Sequence, residues 1–321
     1  MLKREEKMGN ILDGKRLAAE IKAEVKKEVE DLNKIGIDVG LGLLLAGESP
    51  ASISYFQSTL GACKQVGITS YEFRLPGTVS VNELLNVVHS INMDERINGV
   101  LMLMPLPSHM NARRVINAIV PEKDVDGLGA ISVGRLAADE STFQLFRDDR
   151  SDDQQMRFIP SIWSFLPCTP FGVIRLLERY NVRIKGKHAV IIGKSLAVGK
   201  PLSSMFLAKE ATVTVCHRET QKLGFFTRQA DILCSATGKS GLIKAGMVKK
   251  GAVVVDIGIN LRRDGSITGD VDFRSVSEKA SMITPVPGGV GPVTIAMLLE
   301  NTVRSAQRNE LFKSPLVTRN P

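Results

Sequence analysis

The sequence predicts an α/β protein of two domains, and three observations carry that prediction. Short apolar runs alternate along the chain with longer segments whose apolar residues recur at helical spacing, so strands and helices take turns. The strand-type runs, such as 39–46, are apolar throughout rather than at every second position, which is the pattern of parallel strands covered on both faces. One of them, Val190-Ile191-Ile192, leads into Gly193-Lys194-Ser195-Leu196-Ala197-Val198-Gly199 and then a helix. In a strand–turn–helix unit of this kind the glycines let backbone approach a pyrophosphate, and the free N–H groups of the helix favour its charge. Ser195 stands where the usual G-x-G-x-x-G has its second glycine, so the turn alone is also compatible with a tight connection of no chemical use.

In the first half, Leu17, Ile21, Val25, Val29 and Leu32 mark an amphipathic helix over 14–33. The apolar run Val39–Ala46 is a strand that Gly47 ends, and Pro50 opens a helix that Gly67 stops. Strand 71–75, helix 81–91, strand 99–104 and helix 111–119 follow. Tyr55 and Thr59, four residues apart, share one face of the 50–66 helix. Strand 99–104 exits through Pro105-Leu106-Pro107 at the carboxyl end of the sheet, where open α/β folds bind ligands. Lys123-Asp124-Val125-Asp126-Gly127 is open between three readings: metal ligands, a polar turn, and a carboxylate offering two acceptors to a flat heterocycle.

Residues 137–166 break the alternation. The charged run 147–155 reads as a solvated surface insertion, followed by an apolar stretch that holds the single tryptophan, Trp163. Order resumes at Cys168-Thr169-Pro170, with a helix over 173–180. After the glycine turn come a helix over 202–208 and a strand, Thr212–Cys216, that ends in His217-Arg218-Glu219. An arginine at that strand end suits a 2′-phosphate, so Arg218, with Lys194, favours NADP over NAD. His217 reads as a structural or solvent-facing residue. Strands over 231–236 and 252–257 precede Pro285-Val286-Pro287-Gly288-Gly289-Val290-Gly291-Pro292 and a helix from Val293. That segment is either a backbone wall for a flat ligand or a stiff linker.

The bulk properties narrow the classes. A chain of 321 residues accommodates two ordinary cores, and 43% hydrophobic with 24% charged residues is the composition of a globular protein. No apolar run approaches the ~20 residues that span a bilayer, so no membrane role is expected. Residues 1–8, with Glu5 and Glu6, resemble neither a signal nor a transit peptide; Met8 is an alternative start, and the expected location is cytoplasmic. The net charge of +8 is scattered and aromatics make up only 5%, which argues for small anionic ligands rather than nucleic acid. Cys63, Cys168, Cys216 and Cys234 are far apart, so buried thiols are expected and no metal site.

Taken together, Gly47-Glu48-Ser49-Pro50-Ala51-Ser52 with Tyr55, Pro105-Leu106-Pro107, the Lys123–Gly127 run, Val133-Gly134-Arg135-Leu136, Pro167-Cys168-Thr169-Pro170, the Gly193 turn and Pro285–Thr294 resemble one family. It is the bifunctional methylenetetrahydrofolate dehydrogenase/cyclohydrolases, and the motifs occur in the family's order from Ile11 to about Val303. The resemblance implies an N-terminal three-layer parallel-sheet catalytic domain over 9–136, completed by a C-terminal helix over 293–310. It also implies a Rossmann-like NAD(P)-binding domain over 167–292, a homodimer, and tetrahydrofolate one-carbon derivatives in an interdomain cleft. By position, Tyr55 would pack on the pterin and Asp126 would receive its amino and ring N–H groups. Leu103, Pro287, Gly288, Gly289, Gly291 and Pro292 would line the substrate site. Gly193, Lys194, Ser195, Arg218 and Ile259 would hold NADP.

Two departures decide the expected chemistry. The family's catalytic lysine, in Tyr-x-x-x-Lys, is Thr59 here, and its glutamine before Leu-Pro-Leu-Pro is Leu103. The His-Pro and Asn that follow Asp-Gly in the family are replaced by Gly129, Ala130 and Ser132. Lys64 lies about 140° further round the helix and does not stand in. The expectation is an NADP-dependent methylenetetrahydrofolate dehydrogenase whose methenyltetrahydrofolate cyclohydrolase step is impaired. The alternative is a non-catalytic relative that binds nucleotide or folate.

Overall fold

A computed structural model describes residues 9–138, 164–262 and 264–313, with side chains to residue 308. Most of the expected insertion, residues 139–163 with Trp163, lies outside the described residues. In chain order the first elements are β1 (Asn10–Ile11), α1 (Gly14–Lys34), β2 (Gly40–Ala46), α2 (Pro50–Val66), β3 (Thr69–Leu75), α3 (Val81–Met93) and β4 (Gly99–Met102). They are followed by α4 (Ala112–Ile116), a 3₁₀ turn at Pro121–Lys123, α5 (Ala130–Ala137) and α6 (Cys168–Arg179). Next come β5 (His188–Ile192), α7 (Gly199–Ala208), β6 (Thr212–Cys216), α8 (Leu223–Thr227), β7 (Ile232–Ser235) and β8 (Val253–Asp256). The last are β9 (Asn260–Leu261), β10 (Ile267–Thr268), α9 (Phe273–Ser277), β11 (Met282–Ile283) and α10 (Val290–Lys313).

Two compact units result. One comprises Glu20–Cys168 with the chain from Ile295 on; the other comprises the segment up to Ala19 with Thr169–Thr294. Residues 9–19 cluster with the second unit, where β1 pairs with β11 in parallel, Asn10 opposite Met282.

The first unit is built on a parallel three-stranded sheet in the order β3-β2-β4. Every residue of β2 is buried, as its unbroken apolar sequence requires. Leu44, Val100 and Met102 pack on one face with Leu84, Val88 and Ile91 of α3. Each helix boundary has a local cause. Pro50 occupies the first turn of α2, and Gly67 closes it in a left-handed conformation at φ 84° with its N–H on the Cys63 carbonyl. Ser80 and Glu83 form a reciprocal capping box on α3.

The second unit carries a six-stranded sheet in the order β1-β11-β8-β7-β5-β6, every pairing parallel. Its core joins Val190, Ile192, Leu233, Val254 and Ile283. Because β6 and β7 flank β5, the chain reverses direction of travel across the sheet at β5, and such a switch point is where open α/β sheets bind ligands.

Several elements differ from expectation. Strand 99–104 stops at Met102, although Leu103 still donates its N–H to the Leu44 carbonyl at 2.9 Å. Helices α6, α7 and α10 begin earlier than expected, at Cys168, Gly199 and Val290. Gly291 and Pro292 therefore sit in the first turn of a helix rather than in a loop. All four cysteines are buried and free. Among the described residues no helix is long and apolar enough to cross a membrane, and no group of three or more ligating side chains could hold a metal ion.

Candidate active site

In the first unit the chemistry-bearing side chains come from α2, the end of β4 and the turn before α5. Tyr55 is half-buried on α2, and burial, reinforced by the Asp126 carboxylate and Cys168, pushes its phenol well above the usual range. Burial also raises Asp126 to about 7, with the charge of Asp124 adding and a hydrogen bond from the Cys168 thiol opposing. These three side chains thus form one electrostatic cluster, and Asp126 is its titrating member near neutrality. Asn301 of α10 supports it from behind, its Nδ2 donating to the carbonyls of Val125 at 2.8 Å and Leu166 at 3.3 Å.

The two carboxylates of the Asp-Val-Asp run have separate tasks. Asp124 is 4% exposed and accepts from Leu128 N at 3.1 Å, Gly129 N at 2.9 Å and Ser132 Oγ at 2.7 Å. It closes the turn and holds the start of α5; burial raises its pKa to about 6 despite those donors. Gly129 is needed beside it, since a Cβ there would lie 2.8 Å from Asp124 Oδ2. Asp126, by contrast, has no backbone N–H donor among the described residues, and the Cys168 thiol donates to it.

Thr59 is wholly buried and its hydroxyl is spent on the Tyr55 carbonyl, 2.9 Å away within the same helix. Leu103 is 1% exposed. Ser52 fixes the neighbouring strand exit, donating Oγ to the Met104 carbonyl at 2.9 Å. Lys64 is exposed while Thr59 is buried, as two different faces of α2 demand. Lys64 therefore does not stand in at the Thr59 position.

In the second unit, Gly193 follows β5 at the switch point with φ 119°, and a Cβ there would strike the Ala236 carbonyl. Only glycine meets both conditions. Ser195 Oγ accepts from Val198 N at 3.1 Å and Gly199 N at 3.4 Å, so it shapes the turn and caps α7. Lys194 is exposed beside it. At the carboxyl end of the adjoining strand β6, the Arg218 side chain is 95% exposed, held only by Glu219 at 3.3 Å. Ile259, after β8, is 60% exposed. Two exposed cations and an apolar side chain at carboxyl strand ends suit the phosphates and flat rings of a dinucleotide. His217 is a turn residue: its N–H donates to Thr220 Oγ1 at 2.9 Å and its Nδ1 accepts from Glu219 N at 3.3 Å.

Of the glycine-rich segment, Gly288 adopts φ 112° and its carbonyl accepts the N–H groups of Gly14 at 3.0 Å and Lys15 at 3.1 Å. Gly289 approaches backbone so closely that a Cβ would lie 2.6 Å from the Pro285 oxygen. The segment is thus anchored on the start of α1, with Pro287 on a cis peptide bond. Sequence reasoning missed two further residues, Asp256 and Asp270, whose buried carboxylates organise the loops after β7 and β8. Asp256 closes an apolar Val-Val-Val strand, and a carboxylate at that point was the available signal.

A parallel sheet with a glycine turn and exposed cations at its switch point, joined in one chain to an α/β unit bearing a Tyr–Asp–Cys cluster, defines a dinucleotide-binding protein of dehydrogenase type. Residues 12–126 match the tetrahydrofolate dehydrogenase/cyclohydrolase catalytic domain, and residues 167–310 match the NAD(P)-binding domain of the same family. The chain belongs to the tetrahydrofolate dehydrogenase/cyclohydrolase family. It is 47% identical over 298 residues to the bifunctional protein FolD of Moorella thermoacetica, covering 93% of this chain and 99% of that one. The crystal structure of the bifunctional FolD methylenetetrahydrofolate dehydrogenase/cyclohydrolase from Campylobacter jejuni matches at TM-score 0.85 and 44% identity, over 94% of this chain and 99% of that one. The Trypanosoma brucei enzyme complexed with NADP and inhibitor matches at TM-score 0.85 and 31% identity, over 95% and 99% of the two chains.

Proposed function

We propose that this chain oxidises 5,10-methylenetetrahydrofolate to 5,10-methenyltetrahydrofolate with NADP, and that its hydrolysis of the methenyl product is severely impaired. The observation that carries the reading is Thr59, which is buried, uncharged and bonded to its own helix where the resemblance expects a lysine. Bound NADP supplies the hydride acceptor. Gly193, Lys194, Ser195, Arg218 and Ile259 hold it, and Arg218 discriminates for the 2′-phosphate by position. Tyr55 packs on the pterin, and Asp126, ionised, accepts its amino and ring N–H groups. Leu103 in the first unit, and Pro287, Gly288, Gly289, Gly291 and Pro292 in the second, are the further folate-binding positions that the resemblance implies.

The two reactions make unequal demands on these residues. Hydride transfer needs two bound partners aligned, and alignment supplies a large share of such a rate enhancement while the folate nitrogen stabilises the cation. Hydrolysis needs a water that is positioned and activated, and the loss of a group doing that removes roughly 10²–10⁴-fold. A threonine whose hydroxyl is already donated offers neither charge nor a free donor, and Leu103 offers no polar group. The reading carries with it a cytoplasmic homodimer.

The test is to supply methylenetetrahydrofolate and NADP and to follow NADPH formation separately from methenyl decay. NADPH formation with methenyl decay at the spontaneous rate supports the reading. Enzymatic methenyl hydrolysis well above that rate contradicts it. Neither reaction, with both ligands bound, is the outcome of a second reading, a non-catalytic relative that binds nucleotide or folate, which the same buried Thr59 favours.

A further inference from the structure

The loops that follow β7 and β8 share one buried fastening. Asp270 has no exposed surface and Asp256 is 3% exposed, so neither carboxylate is available to a ligand. Asp270 Oδ2 accepts from Ser235 Oγ at 2.9 Å, Thr237 N at 2.7 Å and Thr237 Oγ1 at 2.8 Å. Its Oδ1 accepts from Lys239 N at 2.9 Å and Asn260 Nδ2 at 3.1 Å. One carboxylate thereby ties the loop after β7 to the segment after β8. Asp256 in turn seats Asp270: its Oδ1 accepts from Asp270 N at 3.0 Å and Gly258 N at 3.1 Å, and its Oδ2 from Val271 N at 2.9 Å.

The packing admits little else. A Cβ on Gly258 would run into the Asp270 carboxylate, and one on Gly269 into that of Asp256. The fastened segments reach the residues assigned to the nucleotide. Ile259 lies between Gly258 and Asn260, both bonded to the pair. Ala236 lies between Ser235 and Thr237, both bonded to Asp270, and its carbonyl is the atom against which Gly193 closes. Ala236 also donates its N–H to the Ile192 carbonyl at 2.8 Å, one residue before the glycine turn.

We propose that Asp270, seated on Asp256, is a positioning residue that sets the affinity for NADP by holding Ala236 and Ile259 in register with the Gly193 turn. The proposal rests on the reading that NADP occupies these loops. Asp270→Asn is the direct test, since it keeps the volume but places an NH₂ against N–H donors whichever way the amide turns. Binding of NADPH and of a folate analogue is titrated on the wild type and the variant, together with steady-state kinetics and thermal unfolding.

The expected result is an NADPH Kd raised about 10- to 100-fold, because several charge-assisted bonds fixing the loops are lost together. Folate-analogue affinity stays unchanged, and kcat at saturating NADP stays within about threefold, since the chemistry is intact once the cofactor is seated. Unchanged NADPH affinity overturns the proposal, as does an equal loss of folate affinity, which would mean general destabilisation. Should Asp270→Asn fail to fold, Ser235→Ala and Asn260→Ala each remove one donor; a rise of about threefold or more in NADPH Kd supports the proposal, and no rise overturns it. If the wild type itself binds no NADPH, the functional reading falls and this inference with it; if only the variants behave as wild type, this inference alone falls.

Discussion

The turn cluster of the nucleotide-type sheet and the α2 face of the first unit treat their polar groups in opposite ways. Around β7 and β8, two buried carboxylates gather backbone and side-chain donors from several loops and leave Lys194 and Arg218 outside the network, exposed to a ligand. On α2, the hydroxyl that occupies the position of chemical interest turns back on its own helix, and the neighbouring strand end offers a leucine. On the proposed reading, the scaffold keeps its ligand-binding geometry while one catalytic position is closed off, which separates binding from catalysis. Reactions that need only alignment survive that separation better than those that need an activated water.

The comparison breaks most severely at Asp126, a half-buried carboxylate with the Cys168 thiol as its recorded donor among the described residues. Asp126→Asn is expected to lower dehydrogenase kcat/KM by about 10²–10³, the worth of two hydrogen bonds to a charged acceptor. Its raised value of about 7 also fixes a pH dependence. Below about 7 the folded, ligand-free chain holds a proton on Asp126, so folate affinity should weaken as pH falls through that value, and Asp126→Asn should flatten the profile. For stability the sign is the reverse: a carboxyl raised from 3.8 to about 7 favours the folded state at low pH, and that contribution disappears as pH rises toward 7. Asp126→Asn should therefore lose less stability than wild type over that interval in denaturant titrations.

Gly193→Ala attacks the other side of the comparison. It combines φ 119° with a Cβ aimed at the Ala236 carbonyl, so a strain of about 1–3 kcal/mol has to be relieved by moving the turn. NADPH Kd should rise roughly 10-fold or more while folate-analogue binding is kept. Thr59→Lys with Leu103→Gln sharpens the comparison in the opposite direction. Methenyl hydrolysis should rise about 10-fold or more above the parent chain, with dehydrogenase activity retained. If it does not, Ser132, which is committed to Asp124 at the start of α5, is the next position to restore. The smallest effect is expected at Arg218→Ala. An arginine so exposed makes no measurable contribution to folding, and its removal should cut the preference for NADP over NAD by about a few-fold to tenfold without changing thermal stability.

How much of this was legible in the sequence follows the range of the interactions. Helices α1, α2 and α3 and strands β2 and β6 show in the sequence because periodicity and caps are local signals. The pairing of Tyr55 with Thr59 needed only helical spacing, whereas Thr59 stands out only against the lysine that the resemblance implies there. Strands β1 and β11 are two residues each and pair across more than two-thirds of the chain, so no window of sequence reveals them. That long-range pairing ties residues 10 and 11 to the second sheet. The fastening by Asp270 is of the same kind, since its partners lie 10 to 35 residues away and it carries no motif of its own. The division of labour between Asp124 and Asp126 was likewise open in the sequence; burial and the α5 donors decided it.

The central claim concerns Thr59, and one measurement addresses it most directly. Purified chain, methylenetetrahydrofolate and NADP are mixed, and NADPH and the methenyl form are followed in the same sample. The account predicts that the two rise together and that the methenyl form then persists, decaying at its spontaneous rate. NADPH accumulating while the methenyl form is cleared faster than in enzyme-free buffer would contradict it, and would mean that this chain activates water without the lysine.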